Sequence, residues 1–567
     1  MIKTRIKKIF SEALIKSKLD LNGLTVIPQN NENFGDYSTS ISLQLAKVEK
    51  ANPMILAEKI AKNIPTDDLV EKVEVIKPGF INVWIAKKQL LKNLTKIDNK
   101  YGNSTLAKRE KVIVEYSSPN IAKPFTIGHL RSTIIGDAIA NILEATGAKV
   151  YRDNHLGDWG TQFGKLIYAI KTWGNENEIK DADNPVRILV DLYVRFHKEA
   201  EINPQLNDEG RMWFKKLEEG DAEARRLWTQ SIEWSWNEFD RLYKKLGIKT
   251  EKFENNGRGY GESYFEDKMS PIIDELKKKE ILTESKGAFL VFFPNDKYPP
   301  LMLIKQDGAT LYATRDLATD AFRLNRYGKN VKIINEVGAE QSLYFQQLYE
   351  TEVLAGWLKR EKRVHIKHGM YRFKDSKMST RKGNTIWLED VLKEATNRAI
   401  KLGKLENIKV SEVIGVGALK WNDLKKSSHL DIVFDWEDVL NMQGNSGPYI
   451  QYTYVRCRSV LNKVDKYDFT TEIEETVNLN NDELVLIRSL LKYPETVLEA
   501  AKAYAPNYLC TYLYDLSQKY NLFYQKNPIL KAEDTEQKNL RLKITLAVSN
   551  VLQHGLNLLG IKTVKKM

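Results

Sequence analysis

The sequence predicts an α/β protein: a parallel, doubly wound sheet with helical insertions, a small α/β region before it and an all-helical bundle after it. Short apolar runs rich in β-branched residues, each followed by a helical pattern, are typical of parallel strands joined by crossover helices. Such strands are expected at 111–115, 148–152, 331–335 and 364–368, and two further strands at 287–293 and 301–305. From about residue 437 onward, apolar residues recur at helical spacing almost throughout.

These patterns divide the chain into three predicted domains, 1–105, 106–436 and 437–567. The middle domain holds the sheet and is interrupted at about 172–258 by charged helices. Local elements are expected as helices at 3–19, 38–48, 54–63, 341–357, 482–503, 507–526 and 538–559 and as strands near 26, at 73–76 and at 80–85, with a linker at 99–104.

Two groups of aromatic residues allow two interpretations. The insertion carries five tryptophans, and three tyrosines follow a helical stripe near the end of the chain; the residues are Trp173, Trp213, Trp228, Trp234 and Trp236, and Tyr504, Tyr508 and Tyr512. Aromatic rings beside Lys and Arg can stack on RNA bases, but at helical spacing they more often form a packed core. We therefore expect core packing, with base stacking as the alternative.

Composition excludes several classes of protein. The chain has 567 residues, 42% of them hydrophobic and 29% charged, and no apolar run approaches the roughly 18 residues of a membrane helix. Cys457 and Cys510 lie far apart without a CxxC pattern, so neither a disulfide framework nor a protein-bound metal is expected. The net charge of +12 fits either a solvated lysine-rich surface or a polyanionic partner.

The first residues, 1–19, form a basic amphipathic pattern. Such a pattern can be an organellar presequence or a membrane-surface helix. Because this one is rich in Lys, contains Glu12 and continues into folded-looking sequence, we interpret it as the first helix of a domain. The expectation is a cytoplasmic monomer without membrane attachment, with an organellar matrix as the alternative.

The stretch 115–164 carries the clearest chemical pattern. A buried strand at 111–115 leads through a loop into a helix that begins near Gly128 and stops at Gly147. Free backbone amides and the helix dipole make such a helix start an anion site. Gly128 leaves space for a ligand against the backbone, while Lys123 and His129 add donors. The pattern therefore predicts a nucleotide-phosphate pocket.

The same stretch resembles a known family. Residues 126–129 (TIGH) resemble the HIGH signature of class I aminoacyl-tRNA synthetases, and the runs SSPNIAKP, GHLRSTIIGD and NHLGDWGTQFG resemble the arginyl-tRNA synthetases. The first His of the signature is Thr126 here, which keeps a hydroxyl donor but cannot carry charge. The resemblance implies a class I Rossmann-like catalytic domain with Lys123, Thr126, Gly128 and His129 as catalytic residues.

A second segment, 377–384 (KMSTRKGN), resembles the KMSK loop of class I synthetases. Lys377, Ser379, Arg381 and Lys382 complete the expected catalytic set. The last Lys of the signature is Thr380 here, so the charge that neutralises pyrophosphate comes from Lys377, Arg381 or Lys382, or from Lys123 across the site. The residues alone leave these alternatives open.

Arginine binding requires carboxylates that accept a planar guanidinium group. Tyr312 and Asp316 are four residues apart and share one helix face, although a surface carboxylate paired with Arg315 would produce the same pattern. By resemblance, the arginine-binding residues are Glu115, Asn120, Tyr312, Asp316 and Gln341, and His155, Asp158 and Gln162 shape the pocket or meet the tRNA terminus.

ATP binding is expected at Gly128, His129, His368, Gly369, Met370 and Lys377. The backbone at 368–370 either contacts adenine or simply ends a strand.

The resemblance implies an arginine–tRNA ligase. Such an enzyme uses ATP with Mg²⁺, forms arginyl-adenylate only with tRNA bound, and acylates the 2′-hydroxyl of the terminal adenosine. By the same resemblance, domain 1–105 meets the D-loop side of the tRNA elbow and domain 437–567 meets the anticodon.

Two alternative functions remain open. Another class I synthetase would lack the arginine set, and a non-catalytic tRNA-binding relative is favoured only by Thr126 and Thr380.

Overall fold

The computed structural model describes residues 2–20, 22–29, 34–373, 386–403, 407–464, 473–532 and 534–567. The chain forms two compact units. Unit 1 comprises Met1–Ser104, Met442–Leu558 and Thr563–Met567, and unit 2 comprises Thr105–Asn441 and Leu559–Lys562. No helix in the described part of the chain combines the length and apolar character needed to cross a membrane.

The N-terminal part of unit 1 packs helices against a four-stranded antiparallel sheet. Its helices are α1 (Ile2–Lys16), α2 (Ile41–Glu49), α3 (Pro53–Lys62) and α4 (Lys87–Leu94), and its strands are β1 (Ile27–Pro28), β2 (Tyr37–Thr39), β3 (Val70–Ile76) and β4 (Phe80–Ile85), in the order β1-β2-β4-β3. The apolar face of α1, including Ile6, Phe10 and Leu14, is buried. This burial fits the interpretation of 1–19 as an ordinary domain helix.

Unit 2 is built on a parallel sheet. Its strands are β5 (Lys111–Glu115), β6 (Lys149–Asp153), β7 (Leu282–Ser285), β8 (Ala288–Val291), β9 (Leu301–Ile304), β10 (Lys332–Gly338), β11 (Arg363–His368), β12 (Tyr371–Phe373) and β13 (Ile432–Phe434). Strands β11-β10-β5-β6 pair in that order and all in parallel. The predicted parallel sheet is therefore confirmed, and the carboxyl ends of β5, β10 and β11 meet at one edge, where such sheets bind ligands.

The helices of unit 2 cover the sheet and form the insertion. They are α5 (Ile127–Ala145), α6 (Thr161–Trp173), α7 (Glu176–Asp181), α8 (Pro185–Ile202), α9 (Leu206–Glu218), α10 (Ala222–Leu246), α11 (Glu254–Gly257), α12 (Met269–Lys278), α13 (Tyr312–Tyr327), α14 (Ser342–Leu354), α15 (Leu388–Gly403), α16 (Ile408–Leu424) and α17 (Trp436–Val439). Helix α5 is buried over most of its length because it lies between the sheet and other helices.

Helices α18 (Gly447–Leu461), α19 (Asn481–Leu491), α20 (Tyr493–Ala503), α21 (Pro506–Lys526) and α22 (Thr535–Leu558) complete unit 1. The single helix predicted at 482–503 is wrong, because Lys492 separates two helices. Pro494 lies in the first turn of the second helix, where its missing N–H costs nothing.

The predicted linker 99–104 is packed against the rest of unit 1. Gly102 lies against Tyr493 and His554, with no space for a Cβ atom.

The aromatic groups divide between core and surface. Trp234 and Trp236 are buried, whereas Trp213 is half-buried with Lys171 and Lys216 above its ring. The tyrosine stripe is not on one helix, since Tyr504 ends α20 with a left-handed φ of 51°.

Candidate active site

The loop between β5 and α5 is held by helix α10. Ser117 and Ala122 both adopt left-handed backbone angles, with φ of 58° and 55°, a conformation that persists only when its surroundings fix it. The Ala122 N–H donates to Ser235 Oγ at 3.0 Å. The Ser117 hydroxyl lies 2.8 Å from the Tyr243 hydroxyl. The insertion therefore fixes the loop from which α5 begins.

His129 lies in the first turn of α5 as a neutral ring. The Thr126 backbone N–H donates to His129 Nδ1 at 3.0 Å, so Nδ1 is unprotonated and Nε2 carries the proton. Burial, and then the neighbouring charges of His368 and Lys123, lower the pKa of His129 to about 4. His129 is consequently a neutral hydrogen-bond donor at physiological pH.

A cavity of about 1060 Å³ opens at the N-terminus of α5. Its lining includes every described residue predicted to bind ATP, namely Gly128, His129, His368, Gly369 and Met370, together with Thr126. No neighbouring atom lies closer than 3.4 Å to the position of a Cβ on Gly128. The helix start, the glycine and a neutral imidazole donor thus face one space.

The lining of this first cavity also includes a His–Glu pair, of which the sequence indicated His368 but not Glu336. Glu336, at the end of β10, accepts from His368 Nδ1 at 2.8 Å. Burial alone would lower the pKa of His368, but the carboxylate of Glu336 raises it. A signal for Glu336 was available in its position at the carboxyl end of a predicted parallel strand.

A second cavity of about 320 Å³ adjoins the first, since Ser118, Val337 and Gln341 line both. All five predicted arginine-binding residues line the second cavity, as does His155: Glu115, Asn120, Tyr312, Asp316 and Gln341. Asn120 is placed by Gly157, whose missing Cβ would lie 1.9 Å from Asn120 Oδ1. The structure therefore brings residues from five separate segments around one acidic hollow.

Asp316 is paired within this second cavity. His155 Nε2 lies 3.3 Å from Asp316 Oδ1, and the Tyr344 hydroxyl donates to Asp316 Oδ2. Burial alone would lower the pKa of His155, but Asp316, with Glu115 and Glu262 nearby, raises it to about 9. The protonated His155 is therefore a cation held beside Asp316.

Glu115 is paired with the buried guanidinium of Arg323, which lines the same cavity. Arg323 Nη1 lies 2.6 Å from Glu115 Oε2, and Arg323 also pairs with Asp153 and Asp320. Glu262 and Tyr344 line the same cavity but were not predicted, because nothing in their local sequence marks them.

Several predicted residues lie elsewhere. Lys123 and Gln162 line a small separate hollow with Tyr193. Asp158 accepts from the Ser263 N–H at 2.7 Å and the Ser263 hydroxyl at 2.6 Å, so it anchors the segment that carries Glu262. Lys377, Ser379, Arg381 and Lys382 lie outside the described residues; Phe373 and Ile386, the described residues on either side, both line the first cavity.

Within the described ranges, no three His, Cys, Asp or Glu side chains group together as metal ligands do. The polar groups around the two cavities are hydrogen-bond donors, acceptors and charges. Such groups suit reactions that proceed by alignment and electrostatic stabilisation.

Family models match most of the chain. The family described as "tRNA synthetases class I (R), catalytic domain" matches residues 90–436, "Arginyl tRNA synthetase N terminal domain" matches 2–85, and "DALR anticodon binding domain" matches 450–567.

Curated relatives cover nearly the whole chain. The arginine–tRNA ligase of Clostridium perfringens is 40% identical over 578 residues, covering 99% of this chain and 100% of the relative. That of Clostridioides difficile is 40% identical over 562 residues, covering 97% of each. A solved arginyl-tRNA synthetase from Plasmodium falciparum superimposes with a TM-score of 0.83 at 27% identity, covering 100% of this chain and 99% of that one. The Thermus thermophilus arginyl-tRNA synthetase has a TM-score of 0.84 at 23% identity over 100% of both chains, a likeness of fold. The chain therefore belongs to the arginyl-tRNA synthetase family of class I aminoacyl-tRNA synthetases.

Proposed function

We infer that the chain is an ATP-dependent arginine–tRNA ligase that joins arginine to tRNA for arginine in two steps. In the first, the arginine carboxylate attacks the α-phosphate of MgATP, forming arginyl-adenylate and releasing pyrophosphate. In the second, the 2′-hydroxyl of the terminal adenosine attacks the acyl carbon and AMP leaves. The observation that carries the proposal is the acidic second cavity, which adjoins a larger cavity at the N-terminus of α5.

The second cavity supports a role in binding arginine. We assign the guanidinium to Asp316, with Tyr312 along its flank, because a planar cation pairs well with a carboxylate. We assign the α-ammonium to Glu115 and Asn120. Since Gln341 lies on the boundary of the two cavities, this orientation directs the arginine carboxylate toward the first cavity, where it would meet the α-phosphate.

The first cavity supports a role in binding ATP. The positive end of the α5 dipole and the Nε2 proton of His129 are suited to phosphoryl oxygens. The backbone at Gly369 and Met370 is assigned to adenine. The candidates for binding pyrophosphate remain Lys123, Lys377, Ser379, Arg381 and Lys382. Thr126 is assigned the role of capping the N-terminus of α5, since its side chain carries no charge.

Transfer RNA is the proposed macromolecular partner, and the net charge of +12 favours such a polyanion. We propose that domain 1–105 meets the tRNA elbow, that 106–436 holds the catalytic centre and that 437–567 meets the anticodon. Further proposals are a monomer in the cytoplasm and adenylate formation only when tRNA is bound.

Charging of tRNA for arginine tests the function, with lysine, glutamate and citrulline as competing amino acids. Citrulline matches arginine in shape but lacks the charge that Asp316 would bind. Arginine alone should be attached. Asp316→Asn should raise KM for arginine about 100-fold, because losing one partner of a buried charge pair costs about 3 kcal/mol, and should leave KM for ATP unchanged.

The matched control is Asp307→Asn, which alters an exposed carboxylate in the turn before α13. It should leave both KM values unchanged. Equal charging with lysine or citrulline, or an unchanged KM for arginine in Asp316→Asn, would contradict the assignment.

A further inference from the structure

Arg131 connects helix α5 to a distant loop of unit 2. It lies two residues after His129 and is 1% exposed. Its guanidinium donates to Asp423 Oδ1 at 3.3 Å, to the Leu430 carbonyl at 2.9 Å and to the Ser428 carbonyl at 3.0 Å. One side chain of α5 therefore fixes the backbone of 428–430 as well as a buried carboxylate.

The 428–431 loop in turn fixes one wall of the first cavity. The Gly369 N–H donates to the Ser428 carbonyl at 3.0 Å, and the Met370 N–H donates to Asp431 Oδ1 at 2.9 Å. A Cβ on Gly369 would lie 2.7 Å from both Asp431 Oδ1 and the carbonyl carbon of Leu430. The wall and the loop are thus in close backbone contact.

Asp423 contacts both Arg131 of α5 and Tyr371, the residue that follows the Gly369–Met370 wall. It is 1% exposed and accepts from the Tyr371 hydroxyl at 2.6 Å through its second oxygen. Tyr371 follows Met370 and begins β12, so its position is coupled to the same wall. Arg131 also lies over the Tyr371 ring, with its guanidinium carbon 5.8 Å from the ring centroid. Arg131 Nε lies 3.3 Å from Oδ1 and 3.2 Å from Oδ2 of Asp423, so this one carboxylate contacts both the α5 side chain and the Tyr371 hydroxyl.

We propose that Asp423 is a positioning residue for the nucleotide: through Arg131 and Tyr371 it sets the distance between the start of α5 and the Gly369–Met370 wall. This inference rests on the proposed assignment of the first cavity to ATP. Asp423 itself does not line the cavity, and it acts by fixing groups that do. A displacement of one wall by about 1 Å can lower the rate of the reaction about 100-fold.

The chain offers a matched control on the same helix. Arg152 pairs with Asp137 of α5 at 2.7 Å and also contacts the Tyr116 hydroxyl at 3.3 Å, all of them buried. This second Arg–Asp–Tyr group does not line the first cavity. Asp423→Asn and Tyr371→Phe can therefore be compared with Asp137→Asn and Tyr116→Phe, since each pair of variants removes the charge of a buried Asp and a buried Tyr hydroxyl; the Tyr371 hydroxyl contacts the Asp of its group, and the Tyr116 hydroxyl contacts the Arg.

The test is direct binding of ATP and of arginine to the full-length protein by calorimetry, with the active fraction taken from the stoichiometry. We expect Asp423→Asn to raise the Kd for ATP at least tenfold and Tyr371→Phe about threefold to tenfold. Arginine binding should stay within about twofold in both variants. The Asp137 and Tyr116 variants should lower thermal stability similarly but leave the Kd for ATP unchanged. In charging assays, Asp423→Asn should raise KM for ATP and not KM for arginine.

An unchanged Kd for ATP in Tyr371→Phe and Asp423→Asn, or an equal rise in the control variants, would overturn the proposal. If Asp423→Asn does not fold, Tyr371→Phe decides alone, since it keeps the ring and removes only the hydroxyl. Failure of the wild-type protein to charge tRNA would instead overturn the proposed function. Because ATP binding is measured without tRNA, the two failures are distinguishable.

Discussion

His155 and Asp316 show how single residues prepare the second cavity. The imidazolium of His155 lies beside the carboxylate that we assign to the substrate guanidinium. Under the proposed assignment, the guanidinium of arginine shares Asp316 with His155 or displaces it. Because the pair is enclosed, His155 being 11% exposed at its side chain, the interaction is weakly screened.

The raised pKa of His155 predicts a pH-dependent stability. The pKa is about 9 in the folded protein and about 6.5 when unfolded. The stabilising contribution is therefore complete below pH 6.5 and is lost as pH rises through about 9, with a magnitude of about 3 kcal/mol. His155→Gln should remove this dependence, which denaturant unfolding at pH 6.5 and 9.5 would measure. An equal loss of stability with pH in both proteins would contradict the pairing.

The sequence indicates the residues of the site better than it indicates their partners. Glu115, Tyr312 and Asp316 were assigned to arginine by resemblance to the family, with a strand end or a helix face as local support, and all three line the second cavity. Glu262 and Tyr344 could not be predicted, since their role depends on packing between segments far apart in the chain. Lys123 was predicted beside the nucleotide; it lines a separate small hollow, but its charge is close enough to His129 to lower the pKa of that ring.

At the scale of the element, helix α5 uses two glycines for different purposes. Gly136 faces Tyr116, and a Cβ there would lie 2.2 Å from Tyr116 Cβ. Gly128 faces the first cavity, where a Cβ would meet nothing closer than 3.4 Å. The first glycine therefore permits packing of the helix, and the second leaves space for a ligand.

Replacing each glycine by alanine should separate the two purposes. Gly136→Ala should lower the free energy of unfolding by about 1–3 kcal/mol, because the overpacking outweighs the better helix propensity. Gly128→Ala should leave stability unchanged or slightly higher but raise KM for ATP at least about tenfold. Thermal unfolding and charging kinetics measure both effects. A Gly136→Ala protein as stable as the wild type would contradict the packing role of Gly136. An unchanged KM for ATP in Gly128→Ala would contradict the ligand-binding role of Gly128.

Most elements could be predicted because periodicity is a local property. Strands at 111–115 and 80–85 match their predicted bounds. Strand β7 (Leu282–Ser285) was missed, since its four residues show no strand alternation and it is formed by pairing with β8. The helix predicted at 482–503 failed because the apolar pattern continues across the break at Lys492.

At the scale of the whole molecule, sequences from the two ends of the chain form one compact unit. The Tyr37 hydroxyl donates to Glu495 at 2.7 Å, and Arg488 Nε lies 2.8 Å from Asp36. Asp36 and Tyr37 are nearly inaccessible to solvent, so these contacts are built into the core of unit 1. Pairings of such long range leave no pattern in a single sequence. The three domain boundaries taken from the sequence therefore remain predictions.

Arginine-dependent exchange of labelled pyrophosphate into ATP, with and without tRNA for arginine, tests the central claim most directly. The exchange reports the reversible formation of arginyl-adenylate, for which the two adjoining cavities are proposed. We predict exchange with arginine only when tRNA is present, and none with lysine or glutamate. Exchange without tRNA would keep the ligase assignment but refute its dependence on tRNA. No exchange under either condition, with tRNA binding intact, would contradict the account and indicate a non-catalytic tRNA-binding protein.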